Sequence, residues 1–229
     1  MSKQLVVLSG AGVSADSGLA TFRDSGGLWE GYNIEEVAAI DGWLRDKEKV
    51  LDFYNKRREQ AGNAEPNAAH KSIAELEKGF DVAVITQNVD DLHEKAGSKN
   101  VIHLHGMLRQ ARSDKNPDLV IDIGIKPIKI GDKAPDGSQL RPNVVWFGEP
   151  VPMIEKAAEI VNRADLFIVV GTSLAVYPAA GLINYVESGV PKYIVDPSEP
   201  DLYLDDQWTH IQENAATGVP KLSKKLLTN

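Results

Sequence analysis

The sequence predicts an α/β protein in which one doubly wound parallel sheet carries a small second domain. Three observations lead there. Short β-branched runs alternate with stretches whose apolar residues recur at helical spacing, the pattern of strands covered by helices on both faces. The first run ends in a glycine-rich turn of the kind that joins a strand to a helix at a phosphate site. Two stretches, about 22–62 and 109–141, interrupt the alternation and read as insertions.

In chain order, Leu5–Ser9 is a buried strand that runs into Gly10-Ala11-Gly12-Val13-Ser14-Ala15, a G-x-G-x-x-A turn opening a helix. From Phe22 to about Gly62 no run is strand-like, and Lys47–Gln60 is helical, so this is a helical insertion. Ala68–Leu76 is a helix, and Val82–Thr86 and Val101–Leu104 are buried strands. Arg109–Arg141 is rich in Pro, Gly, Asp and Lys around a strand-like Leu119–Ile123 and an apolar Ile125–Ile130, which suggests a β-rich module. Beyond it, Val144–Phe147, Leu166–Gly171 and Tyr193–Asp196 read as further parallel strands, with helices over Ile154–Val161 and Ala179–Val186. The large domain is then about 1–21, 63–108 and 142–229, and the small one about 22–62 and 109–141.

Composition bounds the chemistry. The 229 residues are 42% hydrophobic and 25% charged, which excludes disorder and suits one large domain with a module. A net charge of −8 repels a phosphate backbone, so nucleic acid is not an expected partner. No apolar run reaches the roughly 18 residues of a membrane span, and the start leads straight into a strand rather than a signal peptide; a cytoplasmic protein with no membrane partner is expected. With no cysteine there is no thiol nucleophile, disulfide or cysteine metal site, and five scattered histidines suggest no replacement, so no metal is expected. Hydroxyl, carboxylate, imidazole and amide groups, or an organic cofactor, must do the work.

The Gly10–Ala15 turn can present backbone N–H groups to a pyrophosphate, but an ordinary dinucleotide site also places an acid after a second strand about 20 residues on. Here the chain is at Leu28-Trp29-Glu30 with no strand before it, so a plain dehydrogenase fits poorly. Asn88 and Asp90 follow the strand Val82–Thr86 at the carboxyl edge where such sheets collect ligands, although Asp90 could equally cap a helix. His103 and His105 are two apart on a strand, so their rings point to opposite faces and only one can be a base in a given cleft. On the inserted helix, Tyr54 and Arg57 are three apart and project from one face, where together they can hold a carboxylate; the alternative is an ordinary charged helix face.

The whole run from Gly10 through Ala20-Thr21-Phe22-Arg23 resembles the first signature of the sirtuins, NAD-dependent protein-lysine deacylases. Thr86-Gln87-Asn88-Val89-Asp90, His103-Leu104-His105-Gly106, Arg141-Pro142-Asn143-Val144-Val145-Trp146-Phe147-Gly148-Glu149 and Gly171-Thr172-Ser173-Leu174-Ala175-Val176-Tyr177-Pro178 match further signatures in order. The resemblance implies a Rossmann-like large domain and NAD as cofactor. It implies that Gly10, Ala11, Gly12, Ser14, Ala15, Phe22, Arg23, Gln87, Asn88, Asp90, Gly171, Thr172, Ser173, Asp196 and Thr217 hold the cofactor, with Asp196 standing where many sirtuins have asparagine. His105 is then the base that acts on a ribose hydroxyl, with Asn88 ordering a water or hydroxyl beside it. Acyl-lysine proteins or peptides add as a strand between Val145-Trp146-Phe147-Gly148-Glu149 and the segment holding Val176 and Tyr177, and the acyl group passes to ADP-ribose as nicotinamide leaves.

Two features depart from or refine the family pattern. Sirtuins usually carry zinc-holding cysteines between the His-Gly and Phe-Gly-Glu motifs, and this chain has none, so the Arg109–Arg141 module is expected to be zinc-free. The Tyr54/Arg57 pair and Ala38 resemble the acyl pocket of sirtuins that remove succinyl, malonyl or glutaryl groups. The expected activity is removal of succinyl, malonyl and acetyl groups from lysine. A plain deacetylase, a mono-ADP-ribosyltransferase and a non-catalytic NAD sensor are the alternatives.

Overall fold

Leu5, Val6, Val7 and Leu8 are all fully buried, as an unbroken apolar strand must be when both faces of its sheet are covered. The computed structural model describes residues 2–19, 32–200 and 206–228. In chain order these form β1 (Gln4–Ser9), α1 (Ile34–Val37), α2 (Ile40–Arg45), α3 (Lys47–Asn63), α4 (Ala68–Glu75), β2 (Asp81–Thr86), α5 (Leu92–Lys95) and β3 (Val101–His103). Then follow β4 (Gly106–Ser113), β5 (Val120–Asp122), β6 (Leu140–Val144), α6 (Ile154–Val161), β7 (Leu166–Val170), β8 (Lys192–Val195), β9 (Trp208–Ile211) and α7 (Ala215–Thr228).

The larger sheet has the order β3-β2-β1-β7-β8-β9, every neighbouring pair parallel. That is the Rossmann order: the chain winds outward from β1 in one direction, then returns to β7 and winds outward in the other. The reversal opens a crevice beyond the carboxyl ends of β1 and β7, and this is where the motifs converge. One face of the sheet is sealed by α6 and a 3-10 helix over Ala179–Tyr185, with Val6, Leu8, Ala83, Ile85, Phe167 and Val169 beneath. The opposite face is sealed by α4 and α7 over Leu5, Val7, Val84, Ile168 and Val170.

A second, antiparallel sheet has the order β5-β4-β6. A third core lies between it and α1–α3, where Val37, Trp43, Phe53 and Tyr54 meet Leu108, Ala111, Leu140 and Trp146. Two expectations are corrected here. Val144–Phe147 is not a strand of the parallel sheet: Leu140–Val144 pairs with β4 instead, and Phe147 makes a single parallel bridge to Ala39. The chain leaves the parallel sheet at Gly106, whose φ of +78° and whose close approach to the Asn143 carbonyl suit only a residue without Cβ. Ile125–Ile130 does not supply a strand; Ile125 and Ile130 are exposed, and only Ile128 is buried.

With no cysteine in the chain, polar staples and stacked rings hold this module. Asn55 of α3 grips Ile128 on both sides, accepting from its N–H (2.9 Å) and donating to its carbonyl (2.8 Å), while the same amide oxygen accepts from buried Arg58 (2.7 Å). At the far end of β4, Ser113 Oγ donates to Asp136 (2.6 Å) and accepts from the Lys115 and Asn116 N–H groups. Asp114 accepts from Trp43 Nε1 and from Lys47, each at 2.7 Å. Arg141 lies flat on Trp146, 3.5 Å from the ring centre, and makes a forked pair with Glu149 that Arg112 joins at 3.0 Å.

Candidate functional site

Gly10 and Gly12 do not open an α-helix. The turn after β1 folds into two 3-10 segments, Ala11–Val13 and Ala15–Ser17, because the Gly12 N–H is taken by the Gly171 carbonyl (2.8 Å) and Gly18 turns the chain at φ +82°. The helix N-terminus expected as a phosphate cradle is therefore replaced by a tight turn pressed against the exit of β7. The glycines are required by that contact: a Cβ on Gly10 would lie 2.6 Å from Thr172 Cβ, and one on Gly171 would lie 2.4 Å from the Val13 nitrogen.

Ser14, the residue that follows, is the hub of the crevice. Its hydroxyl donates to Asp90 Oδ2 (3.1 Å) and accepts from Asn88 Nδ2 (3.0 Å), with His70 Nε2 at 3.4 Å. Because the hydroxyl proton is spent on Asp90, the His70 nitrogen facing it must carry hydrogen. Ser14, Asn88 and Asp90 are all buried, and burial pushes the Asp90 carboxyl above its usual range against donations from Leu92 N–H and Ser14. Asp90 also accepts from the Leu92 N–H two residues on (3.2 Å), although the residue at the N-cap of α5 is Asp91.

His105 lies in the bend two residues past the end of β3, so it and His103 do not share the one strand that the sequence predicts. Its Nδ1 lies 3.0 Å from the Gln87 carbonyl, so Nδ1 carries the hydrogen and Nε2 holds the lone pair when the ring is neutral. Burial lowers its pKa below 6.5 despite that carbonyl, which keeps the ring in the base form at neutral pH. The Gln87 side chain reaches the other way and donates to Thr172 Oγ1 (3.1 Å), which also accepts from Leu174 N–H (3.2 Å) and so helps hold Leu174 at φ +54°. Val176 and Tyr177 follow as exposed residues on the same loop.

On the other side of His105, the Val145 N–H donates to the His105 carbonyl (3.0 Å). Phe147 pairs through its N–H with Ala38 and through its carbonyl with Ile40 N–H, so one rim of the 145–149 segment is already occupied. The Glu149 carboxylate turns inward onto Arg141, Arg112 and the Trp146 N–H, which fixes the turn that ends the segment. Behind it, Ala38 and Tyr54 are buried, and the Tyr54 ring lies 6.0 Å from that of Trp146. The Arg57 guanidinium lies 5.8 Å from the ring centres of both Phe53 and Tyr54. Burial lowers its pKa, and Tyr54 and the Asp90 carboxylate are near enough to act on its charge.

A model of the Sir2 family matches residues 10–178 of the chain, which includes the phosphate turn, the Asn88–Asp90 loop, His105 and the Val145–Glu149 segment. The chain belongs to the Sir2 family. A relative from Bacteroides thetaiotaomicron, described as an NAD-dependent protein deacylase, is 50% identical over 98% of both chains. One from Helicobacter pylori strain J99, described in the same words, is 51% identical over 98% of this chain and 96% of its own. Among solved structures, a Sir2 homologue in complex with NAD superposes with a TM-score of 0.88 at 42% identity, covering 99% of this chain and 90% of that one.

Around this Sir2-family crevice the remaining sequence-derived residues are more dispersed. Ser173 is partly buried next to Thr172, and Asp196 ends β8 with Oδ1 accepting from Ser198 N–H (2.9 Å). Thr217 is exposed in the first turn of α7. Phe22 and Arg23 lie outside the described residues. Two histidines that the sequence motifs do not single out, His70 and His93, are buried beside Ser14 and Ser9. His93 Nε2 meets Ser9 Oγ (2.9 Å), which donates to Thr86 Oγ1 (2.9 Å), and the two histidine rings pack edge to face with centres 4.8 Å apart. The available signal was that β1 and β2 both end their apolar runs in a hydroxyl residue.

Proposed function

We propose that this Sir2-family chain is an NAD-dependent protein-lysine deacylase that prefers acidic acyl groups such as succinyl and malonyl and retains activity on acetyl groups. The coarser part is supported by the relatives described as NAD-dependent protein deacylases, which match over nearly the whole chain at about half identity. The finer part is supported by one observation: the Arg57 guanidinium lies 5.8 Å from the Tyr54 ring, which packs in one core with Trp146, and is close enough to feel Asp90.

The crevice fits a cofactor made of phosphate, ribose and carboxamide. The contact between Gly10, Gly12 and Gly171 leaves no space for a Cβ and keeps the backbone of both turns bare. Asp90 is a buried carboxyl able to accept from a carboxamide, and Asn88 Oδ1 is left to the crevice while its amide nitrogen is held by Ser14. When bound, NAD supplies a nicotinamide leaving group and ribose hydroxyls as acyl acceptors. Gly10, Ala11, Gly12, Ser14 and Ala15, with Gly171, Thr172, Ser173, Asp196 and Thr217, would hold its phosphates and adenosine side, and Gln87, Asn88 and Asp90 its nicotinamide ribose side. Neutral His105 takes a ribose hydroxyl proton on Nε2 while the Gln87 carbonyl steadies Nδ1–H. The backbone of 145–149 and 174–177 aligns the substrate strand, a contact that reads main chain and so tolerates varied peptides.

Initial rates on one peptide carrying acetyl-, malonyl- or succinyl-lysine, with NAD saturating, test the reading. A larger kcat/KM for the acidic groups is expected. Faster acetyl removal with no activity on the acidic groups would reduce the protein to a plain deacetylase.

A further inference from the structure

Two histidines stand at the exit of β3, His103 as its last residue and His105 in the bend after it, and the reaction above uses only His105. His103 is engaged at both ring nitrogens: Nδ1 lies 3.0 Å from the Asn88 carbonyl oxygen and Nε2 lies 2.7 Å from Glu94 Oε1. A carbonyl and a carboxylate accept hydrogen bonds and cannot donate them. Both nitrogens must therefore carry hydrogen, which makes the ring an imidazolium; a neutral ring would turn a lone pair toward one of the two oxygens. The other histidines have no such constraint among the described residues. His93 and His70 face hydroxyls that suit a neutral ring, and His105 and His210 each face one carbonyl.

The position of this charge gives it a task. Asn88 carries its amide into the Ser14 hub and Asp90 follows two residues on, so the loop from Gln87 to Asp90 must be fixed for either to meet a ligand. The Asn88 N–H is held by Thr86 Oγ1 (3.1 Å), and His103 holds the carbonyl of the same residue. We propose that His103 is a positioning residue: as an imidazolium bridging Glu94 and the Asn88 carbonyl it fixes the Asn88–Asp90 loop, and its loss of a proton sets the alkaline limit of turnover. The kinetic half rests on the deacylase reading above.

The surroundings agree with a retained proton. Burial works against the charge, but the bond and charge of Glu94, the Asn88 carbonyl and the Asp90 carboxylate outweigh it, and the pKa is raised above 6.5. The other titratable group near it is His93 on α5, whose own pKa is held well below 6.5. The His103 side chain is 9% exposed, whereas Glu94 is 37% exposed at the surface, so Glu94 can be changed without opening the core.

The test joins a ring titration to a pH–rate profile. Nitrogen-15 NMR of the wild-type imidazoles should show both His103 nitrogens protonated at pH 7, titrating above 6.5. Glu94→Gln should lower that titration and move the alkaline limb of kcat/KM down in pH by the same amount. His103→Gln, which can serve only one side, should lose about tenfold or more in kcat/KM for NAD, because small misplacement of a catalytic or binding group is costly. A His103 ring that is neutral at pH 7, or a Glu94→Gln profile that superimposes on wild type, would overturn the proposal. No wild-type turnover on any acyl peptide would overturn the deacylase reading instead, and the ring titration would still decide the clamp.

Discussion

Replacing Arg57 by Met should separate the two substrate classes. Arg57 packs against the rings of Phe53 and Tyr54 at 5.8 Å, and burial already lowers its pKa, so a carboxylate reaching it would exchange water for a poorly screened cation. A charge-assisted hydrogen bond in such a place contributes about 1.5–3 kcal/mol, which converts to about ten- to a hundredfold in kcat/KM. Acetyl-lysine offers no carboxylate and cannot gain that energy. Met keeps most of the apolar stem that covers the rings, so the fold should survive. Tyr54→Phe removes one neutral donor and should cost the acidic substrate a few-fold, about 1 kcal/mol. Initial rates on one peptide bearing either succinyl or acetyl, with thermal melting as a control, provide the assay. Equal losses on both substrates in a folded Arg57→Met protein would show that the pair supports α3 rather than reads the acyl group.

Three further outcomes follow from the same geometry. His105→Ala should leave NAD affinity by calorimetry largely intact and lower nicotinamide release about 10²–10⁴-fold, because the residue handles a proton rather than holding the cofactor; wild-type-like turnover would refute the assignment. Glu149→Ala should destabilise the fold by about 3–5 kcal/mol in urea, since it strands the buried Arg141 and its neighbour Arg112 without a counter-ion; an unchanged midpoint would refute it. Burial lowers the His70 pKa to about 4, so the unfolded chain binds more protons than the native one below 6.5. Stability should therefore fall as pH drops from about 6.5 toward 4, by roughly 3 kcal/mol from this residue, and His70→Gln should flatten the slope; a slope unchanged by that substitution would contradict the linkage.

The parallel sheet was legible because β1, β2 and β7 carry apolar runs of four or five residues, which only strands covered on both faces require. β9 was not, because Trp208-Thr209-His210-Ile211 mixes polar and apolar residues at an edge, and α7 was hidden by Pro220 within it. β4 escaped notice because Arg109, Gln110 and Arg112 interrupt its pattern, the arginines forming ion pairs and the Gln110 amide oxygen accepting a hydrogen bond from Asn143. Val144–Phe147 reads as a core strand from composition alone. Only Val144 pairs with β4, opposite Gly106, and Phe147 bridges to Ala39 instead. At the site, Asn88 and Asp90 were singled out by position at a strand exit, whereas the choice of His105 over His103 rested on the resemblance to the sirtuins. The roles of Ser14, His70 and His93 depend on side chains meeting across elements more than 50 residues apart, which no local spacing encodes.

The central claim is that this chain transfers an acyl group from lysine to ADP-ribose, and mass spectrometry of the small-molecule products tests it most directly. Incubated with NAD and a succinyl-lysine peptide, the protein should yield nicotinamide, deacylated peptide and O-succinyl-ADP-ribose in equal amounts, with none formed by His105→Ala. Peptide carrying ADP-ribose, or free succinate released without nicotinamide, would contradict the account.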